Sequence, residues 1–224
     1  MLGSLLLFGL LLGLKHALEA DHLSTVATLA SRSSSPRHTV SVAAAWGLGH
    51  AASLVLLGGA LVALGATLPH ALAEAFEVAI GVILIALGAD VLRRLRRERI
   101  HVHVHEHGGT KHLHAHSHVL DGSHEHQHPR LGRSLFIGGV HGLAGSAVVT
   151  VLALPSGSIG RAAVSLLVFG AGTVLGMIAL SLTLSLPLKL SLQRNQKMWI
   201  ALQCALSAVD LALGGWILYT HAVH

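Results

Sequence analysis

Six long apolar stretches dominate this sequence, and they limit the folds that the chain can adopt. Each is close to the roughly 20 mostly apolar residues that a helix needs to cross the hydrocarbon core of a bilayer. Backbone polar groups find no water there, so such stretches cross a membrane as helices. We therefore predict an all-α polytopic membrane protein with six transmembrane helices, at residues 3–30, 39–67, 71–92, 134–154, 160–187 and 199–219.

The composition of the 224-residue chain agrees with a membrane location. Hydrophobic residues make up 52% of it and charged residues only 11%, whereas a soluble domain carries roughly 25% charged residues. A signal peptide ending near residues 17–20 is the alternative for the first stretch, but no basic region precedes its apolar part. The sequence contains no Gly-x4-Gly-Lys-Ser/Thr loop, and we expect neither a prosthetic cofactor nor a nucleic-acid partner.

A polar segment, residues 93–133, separates the two halves of the chain, residues 1–92 and 134–224. It opens with five arginines at residues 93–99 and carries eleven of the 19 histidines. Nothing in it is apolar enough to form a core, so we predict a disordered loop. Closely spaced imidazoles are neutral nitrogen ligands near pH 7, so the loop is predicted to collect or sense metal ions, with a solvated spacer as the alternative. These histidines are His101, His103, His105, His107, His112, His114, His116, His118, His124, His126 and His128.

Basic residues indicate how the chain is oriented in the membrane. With six spans, the loops at 31–38, 93–133 and 188–198 share one side, which holds 13 of the 15 lysines and arginines. Cytoplasmic loops carry an excess of these residues. We therefore predict a cytoplasmic histidine-rich loop and two outward-facing termini, and we expect the membrane to be the bacterial cytoplasmic membrane.

The two halves show a weak internal repeat. Residues 13–18 align with 138–143, and residues 47–50 align with 170–173. Three spans in each half give the halves opposite orientations, as in the inverted-topology repeats of secondary transporters. We therefore predict an inverted 3+3 repeat, although chance similarity among segments rich in Ala, Gly and Leu is the alternative.

Five ionisable residues interrupt the first apolar stretch in its middle. A charged side chain at the centre of a membrane costs at least about 2.5–3.5 kcal/mol, and such residues normally mark a substrate or ion path. Lys15 and Glu19 are four residues apart and are expected to pair. His16, Asp21 and His22 remain, and two imidazoles with one carboxylate suit a borderline divalent cation such as Ni²⁺, Co²⁺ or Zn²⁺.

A regular α-helix cannot bring these three side chains together. At about 100° per residue, Asp21 lies about 140° and His22 about 240° around the helix from His16. Either the helix is broken, or residues from other spans complete the site. His50 and His141 are the candidates, because each lies beside glycines in an otherwise uncharged stretch.

Two acidic residues in other spans are weaker candidates for the ion path. Glu77 lies in the third stretch, and Asp210 lies in the sixth at the equivalent position of the repeat. Both residues have an alternative role, which is ion pairing or packing inside the helix bundle. The same alternative applies to the histidines outside the first stretch.

The His-x4-Asp-His spacing, with a basic residue before it and a leucine after it, resembles the signature of the nickel/cobalt transporter (NiCoT) family. Residues 48–53 resemble the second histidine motif of that family. Residues 139–147 are similar to its six-span branch, the nickel/cobalt efflux and urease-accessory-type membrane proteins. The resemblance implies that Ni²⁺ or Co²⁺ is transported and that the metal is held by His16, Asp21, His22 and His50. Glu19 replaces the usual aspartate of the signature.

The leading interpretation is thus a divalent-metal transporter that is not an enzyme. One alternative is a membrane-anchored metal sensor or metallochaperone partner in the maturation of a metalloenzyme such as urease. Another is an intramembrane hydrolase that uses Ser146. A cytoplasmic histidine-rich loop suits both uptake and efflux.

Overall fold

The computed structural model describes residues 2–31, 35–97, 102–107, 110–115, 131–145, 158–194 and 196–223. Within these ranges, four helices are long and apolar enough to cross a membrane, which confirms an all-α polytopic membrane protein. The described helices are α1 (Leu2–His16), α2 (Ala20–Ser31), α3 (Pro36–Leu64), α4 (His70–Arg97), α5 (Leu131–Ala144), α6 (Ile159–Arg194) and α7 (Gln196–Val223). The four long apolar helices are α3, α4, α6 and α7, which match the second, third, fifth and sixth predicted stretches.

The first predicted stretch forms two helices, α1 and α2, with a break between them. The amides of Leu18 and Glu19 donate to carbonyls three residues earlier, at 2.9 and 3.1 Å, and so end α1 with a tight turn. The Glu19 carbonyl then accepts a hydrogen bond from Leu23 and begins α2. Asp21 lies in the first turn of α2, where the positive end of the helix dipole stabilises a carboxylate.

The fourth predicted stretch is only partly a described helix. Helix α5 begins at Leu131 and ends at Ala144. The remainder of the predicted span, from residue 146 to residue 154, lies outside the described residues.

Contacts at glycines give the directions in which the helices run. Successive residues of α1 meet successive residues of α6, so these two helices are parallel, and α5 is parallel to α3 in the same way. Helices α3 and α6 run in opposite directions, because Gly47 meets Val174 whereas Gly170, earlier on α6, meets the later residue Ala51. Helix α1 therefore runs antiparallel to α5.

Two glycines allow the parallel pairs to pack with their backbones in contact. A Cβ atom at Gly13 would lie 2.9 Å from the Thr173 amide nitrogen, and one at Gly138 would lie 2.7 Å from the Trp46 carbonyl carbon. Neither distance is compatible with a side chain larger than hydrogen. The chain thus uses small residues for close helix packing, as membrane proteins commonly do.

The polar segment between the two halves contains a short hairpin where we predicted a disordered loop. Strand β1 (Val102–His107) pairs antiparallel with β2 (Thr110–Ala115). The register places His103 opposite His114 and His105 opposite His112. Histidine alternates with other residues at the two-residue period of a strand, and two glycines separate the strands in the sequence, which is a hairpin signal.

Candidate metal site

Helices α1, α2, α3 and α5 bring together all five of the residues that we predicted as metal ligands. The break after α1 turns the chain, so that His16 at the end of one helix and His22 in the first turns of the next lie side by side, with ring centres 4.4 Å apart. His50 from α3 and His141 from α5 lie 4.9 and 4.4 Å from the His22 ring. Both possibilities left open by the helical angles are therefore realised: the helix is broken, and other spans contribute.

The four imidazoles are buried among apolar residues. The exposed fractions of His16, His22, His50 and His141 are 4%, 2%, 0% and 1%. Trp46 lies under the cluster, with its ring centre 5.7 Å from that of His22 and 5.4 Å from that of His141. Apolar surroundings of this kind lower the local dielectric constant and so strengthen electrostatic interactions inside the site.

His16, His22 and His50 form an inner triad whose ligand atoms all lie within 4.8 Å of one another. The Nε2 atoms of His16 and His50 are 3.2 Å apart. Two adjacent ligands bonded to one ion at about 2.1 Å are about 3.0 Å apart in octahedral geometry and about 3.4 Å apart in tetrahedral geometry. The separation of the two nitrogen atoms therefore suits two ligands of a single ion.

Asp21, His22 and His141 form an outer triad that shares His22 with the inner one. Asp21 Oδ1 lies 2.9 Å from His22 Nδ1, and Asp21 Oδ2 lies 2.8 Å from His141 Nε2. An ionised carboxylate only accepts hydrogen bonds, so it draws one proton to each of these nitrogens. Asp21 thereby sets the tautomers of two histidines at once.

The other ring nitrogens are left without protons by this arrangement. With Nδ1 protonated, His22 presents its Nε2 lone pair, and Nε2 has no hydrogen-bond partner within the described part of the chain. The carboxylate of Glu19 lies beside His16, with its Oε2 2.9 Å from His16 Nδ1. Carboxylates that orient metal-binding histidines in this manner are common around metal sites.

The position of Glu19 corrects one of our predictions. We expected Glu19 to pair with Lys15, one turn away on the same helix. The helix ends at His16, so the two residues no longer lie on successive turns. Lys15 is exposed, and the carboxylate of Glu19 contacts the histidine instead.

A pocket of about 220 Å³ lies beside the outer triad. Asp21, His22 and His141 line it, together with Glu19 and Glu77. Asp21 has 27% of its side chain exposed, more than any of the four histidines. Because Glu77 and Ile217 also line it, the pocket lies toward the end of the bundle where α4 begins and α7 ends.

Glu77 and Asp210, the two weaker candidates, occupy different environments. Glu77 lines the pocket and pairs with His221 of α7, a residue that the sequence analysis did not select. Asp210 is fully buried and accepts hydrogen bonds from the hydroxyl groups of Ser24 and Thr28, which attaches α2 to α7. Asp210 is not a member of either triad.

Some of the predicted residues fall where the structure gives no side chains. His101, His116, His118, His124, His126 and His128 lie outside the described residues, and so does Ser146. Only the backbone is described for His103, His105, His107, His112 and His114.

Comparisons with known proteins agree with a membrane protein of the urease-accessory type. The chain is 30% identical over 208 residues to the urease accessory protein UreH of Bacillus sp. (strain TB-90), with 85% of this chain and 80% of the relative covered. No solved structure matches. Residues 4–210 match the family described as the cytochrome c biogenesis protein transmembrane region. The chain therefore belongs to that family of integral membrane proteins.

Proposed function

We propose that this protein carries Ni²⁺ or Co²⁺ across the membrane and that the ion passes through the two histidine triads. The observation that carries the proposal is the convergence of four buried imidazoles at a helix break, with a carboxylate that holds two of them in the tautomers a metal requires. Such a cluster is expensive to bury inside a bilayer, and packing alone gives no reason for it.

The donor set supports a borderline transition metal. Imidazole suits Ni, Cu, Zn and Fe, whereas Mg and Ca prefer sites made of oxygen atoms. The resemblance of residues 15–23 to the NiCoT signature narrows the choice to Ni²⁺ and Co²⁺. The name of the UreH relative is consistent with nickel, the metal of urease. The ion is the substrate of this protein.

Pseudo-symmetric packing supports the inverted 3+3 repeat as the architecture of the transporter. In the register of the sequence repeat, Gly13 corresponds to Gly138, and each of them packs on the other half of the chain, at Phe169 and Trp46 respectively. Phe169 and Trp46 also correspond to each other in that register. His16 and His141, a third corresponding pair, both belong to the cluster, which supports a site at the interface of the two halves, as in other inverted-repeat transporters.

The distribution of basic residues supports the proposed orientation. The histidine-rich loop lies in the cytoplasm of a bacterium, and both termini and the pocket face outward. Imidazoles of the loop exchange metal with the site on the cytoplasmic side. This exchange serves export by collecting ions, and it serves uptake by passing them to a metallochaperone or metalloenzyme.

The proposal is tested by measuring Ni²⁺ flux into proteoliposomes that contain purified variants. We expect His22→Ala and His50→Ala each to reduce flux by at least about 100-fold, because each removes a metal ligand from a site with few of them. His70→Ala is the matched control, since that side chain is 89% exposed and is not a member of either triad. Normal flux through a well-inserted His22→Ala protein would refute the proposed path. Nickel content of cells with and without the protein gives the direction of transport.

An accessory role without transport is the second candidate, and the name of the UreH relative is the observation that favours it. In that case the protein holds the metal at the same cluster and passes it to a partner in metalloenzyme maturation. Wild-type proteoliposomes would then bind Ni²⁺ with no flux, while a nickel enzyme expressed with the protein would still depend on His22.

A further inference from the structure

A second carboxylate and imidazole pair lies at the mouth of the pocket. Glu77 of α4 and His221 of α7 approach each other with Oε2 and Nε2 atoms 3.0 Å apart. Their side chains are 52% and 18% exposed, so solvent reaches the pair. Glu77 also lines the pocket that leads to Asp21, His22 and His141. Glu77 is more exposed than Asp21, 52% against 27%, so the pair lies nearer to solvent than the histidine cluster does.

The tautomer of His221 points to a cation between the two side chains. Its Nδ1 lies 2.8 Å from the carbonyl oxygen of Ile217. A carbonyl oxygen can only accept a hydrogen bond, so Nδ1 carries the proton of this contact. In neutral His221, Nε2 then presents a lone pair to the carboxylate of Glu77. Two acceptors are stable at 3.0 Å only with a positively charged species between them, either a proton or a metal ion.

The distance also suits a metal. Two adjacent ligands of an octahedral ion with bonds of about 2.1 Å are about 3.0 Å apart, as Oε2 and Nε2 are. Helices α4 and α7 hold the two side chains in place, because Gly81, one turn after Glu77, packs against Gly214, two turns before His221. The hydrogen bond from Nδ1 to a backbone carbonyl is the usual support of a metal-binding histidine.

We propose that Glu77 and His221 form an outer metal site, at which a divalent cation binds before it passes to the triads. This inference rests on the proposed transport function. The site uses one carboxylate and one imidazole and leaves the remaining coordination positions to water. It therefore holds the ion weakly enough to release it toward the outer triad, where His22 and His141 are buried.

The test is Ni²⁺ flux measured over a range of concentrations on the pocket side of proteoliposomes. We expect Glu77→Gln and His221→Gln each to raise the half-saturating Ni²⁺ concentration by about tenfold, with less than a twofold change in maximal flux. The double variant should match the single variants, because either change removes the same chelate. Glu74→Gln is the matched control: Glu74 pairs with the exposed His70 on the same helix, and it is not among the residues that line the pocket.

A second measurement separates metal binding from a brace between two helices. Glu77→His keeps a metal ligand, so we expect it to restore a half-saturating concentration within about threefold of the wild type. Half-saturation equal to the wild type in both Gln variants would overturn the outer site while leaving the transport function intact. The outer site would also be overturned if the half-saturating Ni²⁺ concentration rose only in proportion to a loss of thermal stability in the metal-free protein. In that case Glu77→His would not restore the wild-type value. Wild-type protein without Ni²⁺ flux would instead remove the transport function itself.

Discussion

Replacing Gly138 with alanine tests whether the close packing of α5 on α3 sets the geometry of the histidine cluster. A Cβ atom at this position would lie 2.7 Å from the carbonyl carbon of Trp46, whereas ordinary contacts begin at 3.4 Å. Helices α3 and α5 must therefore move apart by at least 0.7 Å, the difference between 3.4 and 2.7 Å. The obstacle is backbone, so rotation of a side chain does not relieve it.

This displacement acts directly on the site. His141 follows Gly138 by one turn on α5, and His50 follows Trp46 by one turn on α3. Functional sites need their groups held within about 0.5 Å, and we expect Ni²⁺ affinity to fall by about 10- to 100-fold. Alanine favours a helix over glycine by about 1 kcal/mol, while overpacking costs about 1–3 kcal/mol. For overpacking within this range the net destabilisation is about 2 kcal/mol or less, and the protein should still fold.

Calorimetric titration of the purified protein with Ni²⁺ gives the affinity, and a thermal melt without metal gives the stability. Gly139→Ala is a close control, because it is the same substitution one residue later and its Cβ atom would meet only the Gly49 carbonyl oxygen, at 3.9 Å. Wild-type affinity in Gly138→Ala would show that the contact does not position the site. Equal losses in both variants would assign the effect to the helix as a whole and would also refute the reasoning.

Two further changes probe the carboxylate of the outer triad and the polar loop. In Asp21→Asn one carboxylate oxygen becomes an amide nitrogen, so the side chain no longer accepts a hydrogen bond from each histidine. We expect Ni²⁺ affinity in a calorimetric titration to fall by about 10- to 100-fold without loss of membrane insertion. Unchanged affinity would contradict the role assigned to Asp21. Deletion of residues 101–128 should preserve the helical circular dichroism spectrum and some Ni²⁺ flux, while the dependence of that flux on metal concentration changes. Failure of the shortened protein to insert would show instead that the loop supports the membrane domain.

Much of the site could be predicted from the sequence, because charged groups in a bilayer are rare enough to be informative. His16, Asp21 and His22 stood out in an apolar stretch, and the helical angles already required a break or additional ligands. His50 and His141 were identifiable because no other ionisable residue lies near them in their spans. In each case the residue type was unusual for its surroundings.

The remaining features depend on contacts that no local pattern specifies. His221 lies near the end of its helix, where a histidine is unremarkable, and only the approach of α4 to α7 places it beside Glu77. Glu19 was assigned to Lys15 because the spacing assumed an uninterrupted helix. The hairpin at residues 102–115 was missed because the polar composition of the segment outweighed its two-residue alternation.

The break between α1 and α2 also determines when the site can form during synthesis. Helices of 15 and 12 residues are about 22 and 18 Å long, so neither spans a hydrocarbon core of about 30 Å by itself. Helix α2 carries polar side chains that find their partner in Asp210, 182 residues after Thr28. A ribosome adding 5–20 residues per second reaches that aspartate roughly 10 to 40 s later. The hydrogen bonds that attach α2 to α7 therefore form only after the final helix has been made, and a product truncated before Asp210 lacks them.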